Sequence, residues 1–291
     1  MKSLVGNKET CSPVILDACT IINLLRIDDE EEEFLYKHLT TLNLHIAGKV
    51  YTEVRANFNK NTLSENQAKY IDICLGKIYK DATYHSDDEI VKDLSNQVFN
   101  EIKTFSANSY YKDNGELYST ALGLVISRTE NNQVLFYTDD KPATDYFMPY
   151  FKYQQIGTIM DTVDLLIYLY WSNPDFDKKR LNKYLQAIYS DINQPFKVMI
   201  NDIQKIRDNF SNHEFRKKGL INAVDNLIRS YQDLDIKKMQ DYTQEIKDNY
   251  NQSKVAKILS KNNELLTICP LVSKLIMVKK NFNKYEIFKI Q

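Results

Sequence analysis

Apolar positions along the chain fall into two kinds of pattern. Short continuous runs bounded by turn formers predict buried strands, and runs recurring every three or four positions predict helices. Val14-Ile15-Leu16 is a run of the first kind, closed by Asp17; a small polar cluster follows, and Ile21-Ile22-Asn23-Leu24-Leu25 carries the chain into a helix. Leu44-His45-Ile46-Ala47 predicts a second strand, broken by Gly48. Val134-Leu135-Phe136-Tyr137-Thr138 predicts a third, ending at Asp139-Asp140. A last short strand is predicted over Tyr153 to Ile156, with Gly157-Thr158 turning the chain into a helix from Ile159 to Trp171. Helical spacing covers Phe34 to Leu42, Lys49 to Phe58 (Val50, Val54 and Phe58 on one stripe), and Leu63 to Tyr79 (Ile71, Leu75, Ile78). It also covers Asp87 to Phe105, through Ile90, Leu94, Val98, Ile102 and Phe105. Tyr110 to Gly115 reads as a loop, and Glu116 to Val125 as a helix whose small residues Ser119, Ala121 and Gly123 mark a tightly packed side. Lys141-Pro142-Ala143 opens another helix, with proline where the first turn tolerates it. Strands alternating with helices predict an α/β fold, a mostly parallel central sheet with helices on both faces.

After Ser172-Asn173-Pro174-Asp175 the strand signal stops. From Leu181 the apolar period is helical almost throughout, as in Ile200, Ile203, Ile206 and Phe210, and predicts four or five helices to about Val278. The expected organisation is an α/β domain over 1–171 and an all-helical domain over 172–291. Net charge is −1, but residues 171–291 hold 22 Lys and Arg against 14 Asp and Glu, and residues 1–170 hold 16 against 25. An acidic half fits a cation site and a basic half a polyanion, or the halves attract each other. Lys274, Lys279, Lys280, Lys284 and Lys289 make the tail basic; such a face is either solvated or in contact with phosphates. The acidic run Asp28 to Glu33 reads as a solvated loop or helix edge.

Composition narrows the classes. With 43% hydrophobic and 26% charged residues the chain is an ordinary globular one. No apolar run reaches 18 residues and the first ten lack the apolar core of a signal peptide, so neither a membrane span nor a leader is expected. Cys11, Cys19, Cys74 and Cys269 form no Cys-x-x-Cys pair, which predicts a reducing cytoplasm and argues against structural zinc. The seven glycines form no phosphate-binding loop.

Five acids carry the candidate chemistry: Asp17, Glu53, Glu116, Asp139 and Asp140. Each has an ordinary use. Asp17 can cap a helix, Glu53 can be a solvated helix residue, and Glu116 can complement a helix dipole from its first turn. Asp17 and Asp139/Asp140 end strands, however, and parallel strands put those ends on one edge of the sheet, where α/β folds bind ligands. Several carboxylates converging there need cations, because like charges disfavour joint ionisation. Oxygen-only ligands suit Mg²⁺ or Mn²⁺. The matching chemistry is metal-activated water attacking a phosphodiester.

In these residues the sequence resembles the PIN-domain ribonucleases. The resemblance is carried, in order, by Ile15 to Leu25, Thr52-Glu53, Gly115 to Leu122, Thr138 to Ala143 and Ile156 to Met160, and spans roughly residues 12–171. It implies a three-layer α/β/α fold, one or two Mg²⁺ or Mn²⁺ ions, and endonucleolytic cleavage of RNA, often by a toxin or, by analogy, a phage-defence effector. It assigns Asp17, Glu116 and Asp139 or Asp140 to the metal and Glu53 to the metal or the attacking water. The sequence departs from the family at Cys19, where Ser or Thr is common, in the longer segment between Glu53 and Glu116, and in its second half. That half would recognise substrate, bind a partner or inhibitor protein, or mediate oligomerisation. Arg207 to His213 is similar to the Arg-polar-x-x-x-x-His motif of HEPN ribonucleases, which cleave RNA without metal. Other readings are a non-catalytic RNA- or protein-binding module and a flap-type DNA nuclease.

Overall fold

Val14–Leu16 suits a strand covered on both faces, because all three side chains are apolar and two are β-branched. In the computed structural model these residues form β1 and are buried. The structure describes residues 12–28, 34–58, 69, 72–78, 83–85, 89–105, 113–210, 218–233, 235–262, 271, 274–275 and 277–278. Most of the acidic run, His213 and the tail lysines from Lys279 onward lie outside them. The chain continues through α1 (Ala18–Ile27), α2 (Phe34–Leu39), β2 (Leu44–Ala47), α3 (Gly48–Phe58), a helical stretch α4 at 72–78, and β3 (Thr83–His85). Then come α5 (Glu89–Phe105), α6 (Gly115–Thr129), β4 (Val134–Tyr137), α7 (Lys141–Tyr153), β5 (Gly157–Met160) and α8 (Thr162–Ser172).

The described strands make one sheet in the order β3-β2-β1-β4-β5, with every pairing parallel. The α/β class read from the sequence is therefore present. From β1 the chain steps outward to β2 and β3, then crosses to β4 and steps the other way to β5. Helix α6 lies on β1, β2 and β4, while α1 packs against α3 and α8. Gly123 permits the close approach of α6: a Cβ there would stand 3.3 Å from Ile156 and 3.6 Å from Ile15.

Four local expectations need correction. The last strand is Gly157–Met160, not Tyr153–Ile156. Helix α7 runs on through Tyr153 because Tyr150 and Phe151 are buried, and Gln155 makes the turn at φ 53°. The following helix starts later, at Thr162, where Asp161 and Asp164 form a capping box. β3 had no legible signal in its three residues. On α5 the buried side runs through Val91, Ser95, Val98 and Ile102, and Ile90 is 62% exposed. Ser95 can be buried because its hydroxyl donates to the Lys92 carbonyl. Asp28, expected in solvent, is buried and accepts the N–H groups of Leu35 and Tyr36 at the start of α2.

The described residues up to Tyr184 form one compact unit and those from Leu185 another. The division falls inside α9 (Lys178–Asp208) rather than at 171/172. Within the first unit, Phe176 holds this continuation: its ring lies 5.1 Å from Phe34 and 5.7 Å from Tyr184. The second unit is helical in its described residues: the rest of α9, α10 (Lys218–Gln232), α11 (Ile236–Asn249), α12 (Lys254–Lys261) and helical residues among 271–278. Its core gathers Phe196, Ile203, Val224, Leu227, Met239, Ile246 and Leu259. Among the described residues no helix is long and apolar enough to cross a membrane.

Candidate metal centre

Three elements bring carboxylates to the carboxyl edge of the sheet. β1 ends at Leu16, and Asp17 follows with its N–H still donating to Tyr137 O of β4. Its backbone is still extended, the helix takes over at Ala18, and its side chain caps α1 through the Cys19 N–H. β2 passes into α3 without a loop, so Glu53 stands about a turn and a half beyond that edge. Asn114 caps α6 and sets Glu116 in the first turn.

Ligand-capable oxygens of Asp17, Glu53 and Glu116 all lie within 4.8 Å of one another. The orientation of each acid is held by neighbours. Asp17 Oδ2 accepts from the Cys19 thiol (2.9 Å) and the Thr138 hydroxyl (3.2 Å). Glu53 Oε1 accepts the Gly115 N–H at 2.9 Å. Gly115 leaves room for this cluster: a Cβ there would come within 2.6 Å of Glu53 Oε2 and 3.1 Å of Asp17 Oδ1. Asp17 Oδ1 itself is buried and has no hydrogen-bond partner, although Asp17 is only 2% exposed. A bare buried carboxylate oxygen is costly. A divalent cation is the partner whose chemistry fits three converging oxygens.

The electrostatics follow from crowding and burial. Burial is the main cause that raises the Asp17 carboxyl, and bonds from Cys19, Ala18 and Thr138 oppose it. Glu116 is pushed up to about 8, by burial first and then by Asp17, Asp140 and Glu53. Glu53 is raised by burial and by Asp17 and Asp113, against the Gly115 hydrogen bond and the Lys49 charge. Without a cation the cluster therefore favours holding protons. Cys19 is held well above the usual thiol range by burial, Asp17 and Asp139, so it stays a thiol that donates to Asp17.

Asp139 and Asp140 do not join this cluster. Asp139 Oδ1 accepts the Thr162 N–H (2.8 Å), and Oδ2 accepts the Thr162 hydroxyl (2.5 Å) and the Asn23 amide (2.7 Å). It ties the end of β4 to the middle of α1 and the start of α8. Asp140 caps α7 through the Ala143 N–H, near enough to Glu116 to raise it. Sequence reasoning missed the supporting groups Thr138, Asn23, Thr162 and Gly115. Asn23, Gly115 and Thr138 lie inside the motif stretches but carry no role there, and Thr162 carries no signal. Arg207 makes a two-pronged pair with Asp225, at 2.8 and 3.1 Å, and so has an architectural use in the helical unit. Compared with family models, curated proteins and solved structures, the chain matches none.

Proposed function

We propose that this protein is a Mg²⁺- or Mn²⁺-dependent endoribonuclease of PIN-like type. The observation that supports the reading is the Asp17/Glu53/Glu116 cluster, with Asp17 and Glu116 buried, Glu53 half-buried and Asp17 Oδ1 left without a partner. Asp17 and Glu116 would hold the cation, and Glu53 would share in holding it or orient the attacking water. A cation bound there supplies a water of lowered pKa and neutralises charge on phosphorus. Thr138 and Cys19 keep Asp17 aimed; Asp139 ties α1, at Asn23, and the start of α8 to the strand end beside it. The substrate is RNA. The helical unit recognises it, binds a partner or inhibitor protein, or pairs copies of the chain. A cytoplasmic place fits the Cys19 thiol, which donates a hydrogen bond to Asp17. A role as toxin or phage-defence effector follows from the family resemblance alone.

The test is cleavage of a mixed RNA pool by wild type, Asp17→Asn and His213→Ala, with Mn²⁺ and with EDTA. The reading expects cleavage that needs Mn²⁺, is lost in Asp17→Asn and survives His213→Ala. Cleavage that survives EDTA and Asp17→Asn but fails in His213→Ala would move the chemistry to the helical unit. If Mn²⁺ neither stabilises the protein nor supports cleavage, the binding-module reading replaces this one.

A further inference from the structure

The acidic centre has a charge problem that its own residues do not solve. Three ionised carboxylates and one divalent cation still sum to a negative charge, and a phosphodiester arriving there is itself an anion. A fixed positive charge beside the centre would remove the repulsion.

Lys49 stands four residues before Glu53 on α3, one turn along the same helix face. Its ammonium lies 3.3 Å from Asp113 Oδ2 and 5.7 Å from the centre of the Tyr118 ring. Both partners belong to the segment that builds the site. Asp113 precedes the Asn114 cap, and Tyr118 lies two residues beyond Glu116. The Lys49 charge is also felt at Glu53. One third of the lysine side chain is exposed, and the Asp113 carboxylate is 70% exposed. An ion pair that open to water is weak, so another anion displaces Asp113 at little cost. The Tyr118 ring limits where the ammonium can go.

We infer that Lys49 receives the substrate's phosphate at the mouth of the acidic centre, exchanging Asp113 for a non-bridging phosphate oxygen. It rests on the ribonuclease reading above. Asp113 then acts as a stand-in anion that holds the lysine ready, and Tyr118 as a positioning residue.

The experiment compares wild type, Lys49→Ala, Lys49→Arg and Asp113→Asn, full length, on fluorescein-labelled single-stranded RNA. It reads kcat and KM with Mn²⁺, anisotropy binding with Ca²⁺ in place of Mn²⁺ over a range of salt, and the Mn²⁺-induced rise in melting temperature. Lys49→Ala is expected to lose about ten- to a hundredfold in kcat/KM, the scale of one charge-assisted contact. Its log–log salt slope should shrink by about 0.7, one phosphate contact on a single strand. Lys49→Arg should recover part of the loss. Asp113→Asn should bind RNA more tightly, because the competing anion is gone. The Mn²⁺ shift should persist in Lys49→Ala. A purely architectural Lys49–Asp113 pair predicts instead that Lys49→Ala and Asp113→Asn weaken binding alike, and that result overturns the inference. Loss of the Mn²⁺ shift in Lys49→Ala also overturns it. Cleavage by wild type with kcat/KM unchanged in Lys49→Ala sinks this inference alone. Wild type that neither binds nor cleaves RNA sinks the ribonuclease reading and this inference together.

Discussion

Asp17 closes a strand, caps a helix and turns one bare oxygen toward two other acids. Replacing it with Asn keeps a capping side chain and the neighbours' volume but removes a buried charge. Asp17→Asn should therefore melt no lower than wild type without metal, yet lack the rise in melting temperature expected of wild type with Mn²⁺; differential scanning fluorimetry checks both. Glu116 makes a pH-dependent prediction. Its folded-state value near 8 lies above its ordinary value of 4.5. The folded state thus binds this proton more tightly than the unfolded chain does. The resulting stabilisation is fully present below about pH 4.5 and is lost as pH rises through 8. Without metal, the melting temperature of wild type should fall relative to Glu116→Gln across that window. Metal uptake should strengthen over the same window, because the cation must displace the proton. A flat difference between the two proteins from pH 4.5 to 8.5 would contradict the crowding described here. At this scale Asp17, Glu53 and Glu116 were legible as types at strand and helix ends. Asp139 was legible only as an acid: its use as an anchor for Asn23 and Thr162 depends on groups 116 and 23 residues away in sequence.

Whole elements are positioned by glycines that the hydrophobic pattern reads only as breaks. Gly157 begins β5 at φ +156°, and a Cβ there would lie 1.9 Å from the Val134 carbonyl oxygen. Backbone cannot give way as a flexible side chain can. Gly157→Ala should cost about 3 kcal/mol or more, from strain and from the broken β4–β5 start; urea denaturation measures it. Gly115 is the opposite case, since its nearest neighbour is the end of the Glu53 side chain. Gly115→Ala should cost less stability, though its Cβ would also press on Val50 at 3.0 Å, and should push Glu53 aside, weakening Mn²⁺ binding at least about tenfold. Calorimetric titration with Mn²⁺ checks this, and unchanged affinity would remove Glu53 from the centre. The misplaced last strand has the same origin. Tyr153 and Ile156 favour a strand, but burial of Tyr150 and Phe151 prolongs the helix, and a glycine conformation sets where pairing begins.

For the molecule as a whole, the acidic centre belongs entirely to the first unit, and the helical unit has its own core. Mn²⁺ should therefore slow amide exchange at the ends of β1 and β4 and in the first turns of α1 and α6. Exchange in α10, α11 and α12 should stay unchanged. Hydrogen exchange with mass detection reads both units in one experiment; equal protection throughout would show that the metal acts on something other than this cluster. The opposite charges of the two halves, legible in composition, bear on partners and association rates rather than on fold.

By itself the sequence determined the alternation of strands and helices, the parallel sheet, the helical second half and the acids that end strands or open helices. These follow from local apolar period and from turn chemistry, which act over a few residues. Only the tertiary structure decided that Glu53, and not Asp139 or Asp140, joins Asp17 and Glu116. It alone placed β3 beside β2, turned Ile90 outward on α5, and carried the first unit on to Tyr184. Those outcomes depend on which groups separated by tens of residues compete for the same hydrogen bonds and the same buried volume. Thr162 and Asn23 claim the Asp139 carboxylate, Thr138 and Cys19 claim one oxygen of Asp17, and the other oxygen is left to the centre.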